Sequence, residues 1–135
     1  MSDTADEIHD HFEFLHRARG RVLIHGLGLG VAVQMALLKP EVEHVLVVEL
    51  EQAVIDLVAP HYLERFGRDR LEIRRGDAFD WPVPKGTRWN AAWHDIWLDL
   101  NPDNLPEMRR LHRRFGRRCD WQGSWGCAWL EAHRR

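Results

Sequence analysis

Residues 21–30 read RVLIHGLGLG, an apolar β-branched run followed at once by three glycines at alternate positions. The run suits a short strand over Arg21–Ile24. Glycines placed there suit a backbone that turns tightly or comes very close to another group. A second run, HVLVV at 44–48, shows no polar alternation. Such a strand needs cover on both faces, the condition met inside a parallel sheet. Parallel strands need long crossovers, usually helical, and the intervening segments supply them. Val31, Ala32, Met35, Ala36 and Leu38 suit a helix over 30–39 that Pro40 stops. Helical spacing returns from Gln52 to about Leu63, with Pro60 expected to bend or fray its end.

The remaining segments extend the alternation. Residues 71–74 form a third strand candidate. Trp89–Trp93 leads into a fourth, ending near HDIW, and CDWQGSW at 119–125 gives a fifth. Asn104 reads as an N-cap with Glu107 three residues on. The helix behind it would bury Leu105, Met108, Leu111 and Phe115. Near the start, Ile8, Phe12 and Leu15 share one helical face in an 8–18 segment closed by Gly20. The expected fold class is therefore α/β: a Rossmann-like, mainly parallel sheet of about five strands with flanking helices. The 135 residues suffice for one domain. It divides into an N-terminal helix within 1–19, a core over 20–125 and a tail at 126–135.

Charge and composition exclude several classes. A formal net charge of −2 gives no global pull toward nucleic acid or membrane, and no apolar stretch reaches the ~20 residues needed to span a bilayer. No basic-then-apolar leader opens the chain. Cys119 and Cys127 are too few for a disulfide scaffold and read as free thiols. Together these predict a cytoplasmic protein. His9, His11 and His16 invite a zinc reading, but on a helix His11 points away from the other two. No metal is expected. The basic run at 109–118 (RRLHRRFGRR) lies opposite the apolar stripe of its helix. It reads as a solvated face rather than a nucleic-acid surface.

The glycine loop narrows the ligand. Its pattern is Gly26-x-Gly28-x-Gly30. A dinucleotide fingerprint would place the third glycine one position later, where Val31 stands, and a P-loop would need a Gly-Lys-Ser/Thr ending. By itself the loop fits either a ligand contact or a bare turn. The second strand ends in Glu49, about twenty residues on, where a carboxylate can accept both hydroxyls of a ribose. Glu51 reads instead as an acid near a helix N-terminus. The third strand runs into Gly76-Asp77-Ala78-Phe79, where Asp77 can accept from an exocyclic amino group. One such feature per successive strand end describes a nucleoside pocket without a phosphate requirement.

This ordered set resembles the class I S-adenosylmethionine-dependent methyltransferases, and within them the spermidine-synthase-like branch, as a minimal, truncated member. VLIHGLGLG resembles the glycine motif, VVELEQAVIDL the second-strand acid motif, RRGDAFDW the adenine-side motif and WNAAWHDIW the fourth strand. The resemblance implies S-adenosylmethionine as cofactor and S-adenosylhomocysteine as product. It implies cofactor contacts from His25, Gly26, Gly28, Gly30, Glu49, Leu50, Asp77, Ala78, Phe79 and Asp95. Leu29 stands where aminopropyltransferases of that branch carry an Asp, and His25 where many methyltransferases carry an acid.

The fourth strand then carries the transfer chemistry. Asp95 is the candidate base or amine grip, and His94 the alternative base. Strand alternation sends those two side chains to opposite faces. Trp97, Gln122 and Trp125 are candidate substrate contacts, with Ser124 as a further polar group; Trp93 reads as core. The resulting expectation is a methyltransferase with a small-molecule acceptor rather than nucleic acid. Aminopropyl transfer with the decarboxylated cofactor and non-catalytic cofactor binding are the alternatives. The short sheet and the tryptophans are consistent with a homodimer.

Overall fold

The computed structural model describes residues 5–133, with side chains described from His11 onward. The elements run α1 (Ala5–Arg17), β1 (Gly20–His25), α2 (Val31–Leu37), β2 (Val42–Glu49), α3 (Gln52–Phe66), β3 (Leu71–Arg75) and β4 (Trp89–His94). A 3-10 turn (Pro102–Asn104), α4 (Leu105–Phe115), β5 (Cys119–Ser124) and α5 (Cys127–His133) complete the chain. The five strands form one sheet in the order β3-β2-β1-β4-β5. Every pairing is parallel. The order reverses between β1 and β4, so the chain leaves those two strands in opposite directions and opens a crevice at their carboxyl ends. The α/β, Rossmann-like expectation is met.

One sheet face carries Trp93 beneath α1. Its indole stacks on Phe14 at 5.3 Å and on Trp121 at 6.5 Å, with the Trp121 planes 7° apart. Gly123 makes room for this stack, since a Cβ there would lie 2.7 Å from the Trp121 ring. His11 and Phe14 of α1, and Ala18 just past its end, are buried, whereas Phe12 is 61% exposed. The expected face through Phe12 is thus rotated, because Trp93 offers an aromatic surface that Phe14 meets. Ile8 lies outside the described side chains.

The opposite face is covered by α4, whose Leu105, Met108, Leu111 and Phe115 are buried as the spacing predicts. Beside α4 runs the 76–88 connection, which packs Trp81 against His25, Trp89 and Phe115. The start of α4 differs from the expected capping box. Asn104 makes no side-chain cap, and Asn101 accepts from the Asp103 N–H instead. The Glu107 carboxylate turns to the Trp97 indole N–H at 3.1 Å.

Two further differences have tertiary causes. α3 continues through Pro60 to Phe66, because Tyr62 anchors it: the ring is buried and its hydroxyl donates to the Leu29 carbonyl at 3.0 Å. Residues 127–133 form α5, which buries Leu130 and is tied to α4 by the Arg109–Glu131 pair at 3.0 Å. Among the described residues no helix is long and apolar enough to cross a membrane.

Candidate active site at the carboxyl edge of the sheet

Backbone hydrogen bonds stitch the strand ends into one continuous rim. Gly26 N–H donates to Val48, Gly76 N–H to Glu49, Asp95 N–H to His25 and Trp125 N–H to His94, at 2.8–3.0 Å. The glycine loop, Glu49, Asp77 and Asp95 are thereby neighbours along one edge, although they lie far apart in sequence.

The three loop glycines have different reasons. All have positive φ, at 96°, 51° and 87° for Gly26, Gly28 and Gly30. A Cβ on Gly26 would lie 2.1 Å from the Asp95 carbonyl oxygen, and one on Gly30 would lie 2.1 Å from the Tyr62 ring. Those two are spent on the protein's own chain. Beside Gly28 nothing lies within 4 Å, so it is the glycine whose bare backbone faces open space.

Glu49 is buried at the end of β2. One carboxylate oxygen accepts from the Leu27 N–H at 2.7 Å and the other from the Glu51 N–H at 3.0 Å. The acid thus clamps the glycine loop onto the start of α3. A carboxylate offers about four acceptor sites, so each oxygen keeps capacity for a hydroxyl. Glu51 takes the expected place at the N-terminus of α3. Asp77 folds its own turn by accepting from the Phe79 N–H at 2.9 Å. Ala78 is buried, and the Arg110 guanidinium lies 4.3 Å over the Phe79 ring. Leu29, Leu50 and Leu98 are exposed beside the loop, β2 and β4 ends, at 81%, 54% and 101%.

The histidines behave differently from the acids. His25 and His94 are fully buried under α4, with their Nδ1 atoms 2.8 Å apart. Trp81 can only donate, and it donates from Nε1 to His25 Nε2 at 2.9 Å. His25 therefore carries its proton on Nδ1 and gives it to His94 Nδ1. His94 then holds its proton on Nε2 and donates to Gln122 Oε1 at 2.9 Å. Gln122 closes the chain by donating to the His112 carbonyl at 2.7 Å. Both imidazoles are neutral in this one-way relay. Burial holds His25 well below its ordinary pKa, with the neighbouring His94 and Arg114 adding to the effect. Burial likewise brings His94 to about 3, against the opposing Gln122 hydrogen bond. A base needs a free lone pair near the reacting proton. His94 has none, so its surroundings do not suit it to the role of alternative base. His25 likewise turns its ring into the interior rather than toward a cofactor.

Of the expected substrate contacts, Trp97 and Trp125 are drawn into the protein and Gln122 is half-buried. Trp97 is 9% exposed and bonded to Glu107, and both ends of the Gln122 amide are used in the relay. Ser124 is buried, with its hydroxyl 2.7 Å from His112 Nε2. Trp125 is 5% exposed, and its Nε1 has no hydrogen-bond partner in the protein. That nitrogen is itself buried. Of the N-terminal histidines, His11 packs its ring 5.5 Å from Trp93 and His16 is exposed, while the His9 side chain lies outside the described residues. Among the described residues no group of three His, Cys, Asp or Glu side chains is arranged to hold a metal ion. Cys119 and Cys127 form no disulfide, and burial pushes the Cys119 thiol up to about 11.

No protein-family model and no curated protein matches the sequence. Solved structures do match the fold. A proposed RNA methyltransferase from Pyrococcus horikoshii superposes with a TM-score of 0.61 at 18% identity, over 88% of this chain and 54% of that one. An S-adenosylmethionine-dependent methyltransferase from Mesorhizobium loti gives 0.55 at 19%, over 82% and 49%. This chain has the class I methyltransferase fold. The [4+2]-cyclase SpnF also matches, at 0.59 and 19% identity over 78% and 38%, so the fold alone does not dictate the reaction. The chain spans about half the length, or less, of these structures.

Proposed function

We propose that this protein binds S-adenosylmethionine along the carboxyl edge of the sheet and transfers its methyl group to a small-molecule acceptor, leaving S-adenosylhomocysteine. The observation that carries the reading is the convergence of an open glycine, Gly28, with Glu49, Asp77 and Asp95 on one stitched rim. Gly28 lets the methionine portion approach the backbone. Glu49, already fixed by two N–H donors, turns its remaining acceptor capacity to the ribose hydroxyls. Asp77 accepts from the adenine amino group, with Leu50, Ala78 and Phe79 supplying apolar surface around the ring.

The bound sulfonium supplies an activated methyl carbon; the protein's task is alignment in a dry crevice, a contribution of ~7–11 kcal/mol when complete. Asp95, at the β4 end against Gly26, orients the acceptor and takes its proton as the new bond forms. A small acceptor is favoured by charge: Glu49, Glu51, Asp77, Asp95 and Asp99 lie at or just past the strand ends and outnumber Arg75 there, and a net acidic edge repels a polyanion.

Titration calorimetry with S-adenosylhomocysteine tests the cofactor, with NAD as the competitor reading. Binding of the adenosyl compound, weakened in Glu49→Gln, is the expected result. NAD binding without it would sink the proposal. Product formation from a panel of amines and hydroxyl compounds tests transfer, and binding with no product from any of them would leave a cofactor-binding protein.

A further inference from the structure

The opposite, amino-terminal edge of the sheet carries a second site of contrary sign. A groove of about 460 Å³ opens between the end of α4 and the residues leading into β4, lined by Arg88, Arg113, Arg114, Arg117 and Arg118. Five guanidiniums thus share one groove in a chain whose net charge is −2. A helix C-terminus favours one or two cations in its last turn, which does not account for five.

Three of the five are fixed by the backbone. Arg114 donates to the carbonyls of Ala78 and Trp81, Arg118 to that of Pro84, and Arg88 to that of Arg117. Arg88 also pairs with Asp120 at 3.1 Å. Among the described residues, Arg113, Arg114, Arg117 and Arg118 form no salt bridge with any carboxylate. Arg113 and Arg117 are exposed and have no hydrogen-bonded partner among these contacts. The crowding registers on Arg114, whose pKa is lowered by burial and then by the Arg118 charge, against the pull of Asp80 and Asp77. Holding five like charges together with so little counter-charge is unfavourable; an anion relieves it.

We propose that this groove binds closely spaced phosphoryl groups, held through their oxygens alone. Guanidinium forks match phosphate oxygens two at a time, and the backbone-tied arginines are pre-set while Arg113 and Arg117 are free to close on the ligand. The other lining residues are Gly86 and Thr87. With no aromatic wall for a base to stack on, the groove reads charge and spacing, not a nucleobase. Two sources present that chemistry: the backbone of a nucleic acid and a free polyphosphate.

The test uses the full chain at 50 and 200 mM salt, with inorganic tripolyphosphate in one arm and a labelled 12-nucleotide uridine RNA in the other. The double variant Arg113→Glu/Arg117→Glu should weaken binding at least tenfold. The control Arg65→Glu/Arg68→Glu, with the same charge change at the end of α3, should leave it unchanged. Near-ultraviolet circular dichroism of the tryptophans checks that each variant is folded. If RNA is the source, its plot of log affinity against log salt should flatten by about 1.4 when two phosphate contacts are lost. If tripolyphosphate alone responds, the source is a free polyphosphate. Equal weakening in the control variant, or no binding of either probe at 50 mM salt, overturns the proposal. Binding of S-adenosylhomocysteine at the other edge should be untouched by the groove variants, which separates this site from the proposed cofactor site.

Discussion

The two edges of the sheet solve opposite problems with different parts of the chain. At the carboxyl edge the decisive groups are backbone: turning glycines, N–H donors on Glu49, and carbonyls that stitch strand to strand. At the amino edge the decisive groups are long side chains, with arginines fanned from the end of α4 and braced on carbonyls of the 76–88 connection. A backbone site is rigid and sensitive to a single added atom. A side-chain site is adaptable and tolerates the loss of any one member. The difference teaches which substitutions each edge can survive.

The largest expected effect falls within the glycine loop. Gly26→Ala drives a Cβ against the Asp95 carbonyl at positive φ. Backbone strain of about 1–2 kcal/mol and overpacking of about 1–3 kcal/mol add together. Gly28→Ala meets only the strain. Urea denaturation should rank the two clearly; equal losses would show that the Asp95 approach does not dictate Gly26.

The buried relay beneath the carboxyl edge gives the next effect. His25 and His94 stay neutral in the folded state, while in the unfolded chain they take up protons below about 6.5. Their folded pKa values are depressed, so the unfolded state binds more protons and stability falls as pH falls through 6.5. The pair should cost roughly 2–3 kcal/mol between pH 7.5 and 5.5. His94→Gln should remove about half of that dependence, as read from urea midpoints at three pH values. A pH-independent wild type would break the neutral-relay assignment.

Smaller effects separate ligand binding from folding. Glu49→Gln keeps an oxygen for the Leu27 N–H but removes the charge, so S-adenosylhomocysteine affinity should drop 10- to 100-fold, a loss of about 1.5–3 kcal/mol. Unchanged calorimetric affinity would take Glu49 out of the site. At the amino edge, exposed Asp120 accepts from Arg88 and Asn90, and these hydrogen bonds hold its carboxyl below the usual carboxylate range. Asp120→Ala should leave thermal stability unchanged within error, because exposed pairs are screened. A marked loss would mean that the amino edge is as brittle as the carboxyl edge.

Much of the carboxyl edge was legible in the sequence. Apolar runs ending in Gly26 and Glu49, and the shorter run before Gly76-Asp77, were readable as parallel strands from their periodicity and the glycines that follow them. The histidine relay was not legible. His25 and His94 stand 69 residues apart, and only the β1–β4 pairing makes them neighbours. The same holds for Phe14 over Phe12, which Trp93 decides, and for α3 beyond Pro60, which Tyr62 secures. Gly26 and Gly30 look identical to Gly28 in sequence; their different neighbours exist only after folding.

The sequence by itself determined the strands, the helices between them and the residue types at each strand end, because periodicity and glycine geometry are local properties of the chain. Tertiary structure decided which of those groups remain available to a ligand. Burial, strand order and side-chain packing are properties of what lies beside a residue, and those neighbours come from distant segments. Pairing withdrew His25 and His94 into the interior, left Gly28 open, and gathered five arginines from two segments into one groove.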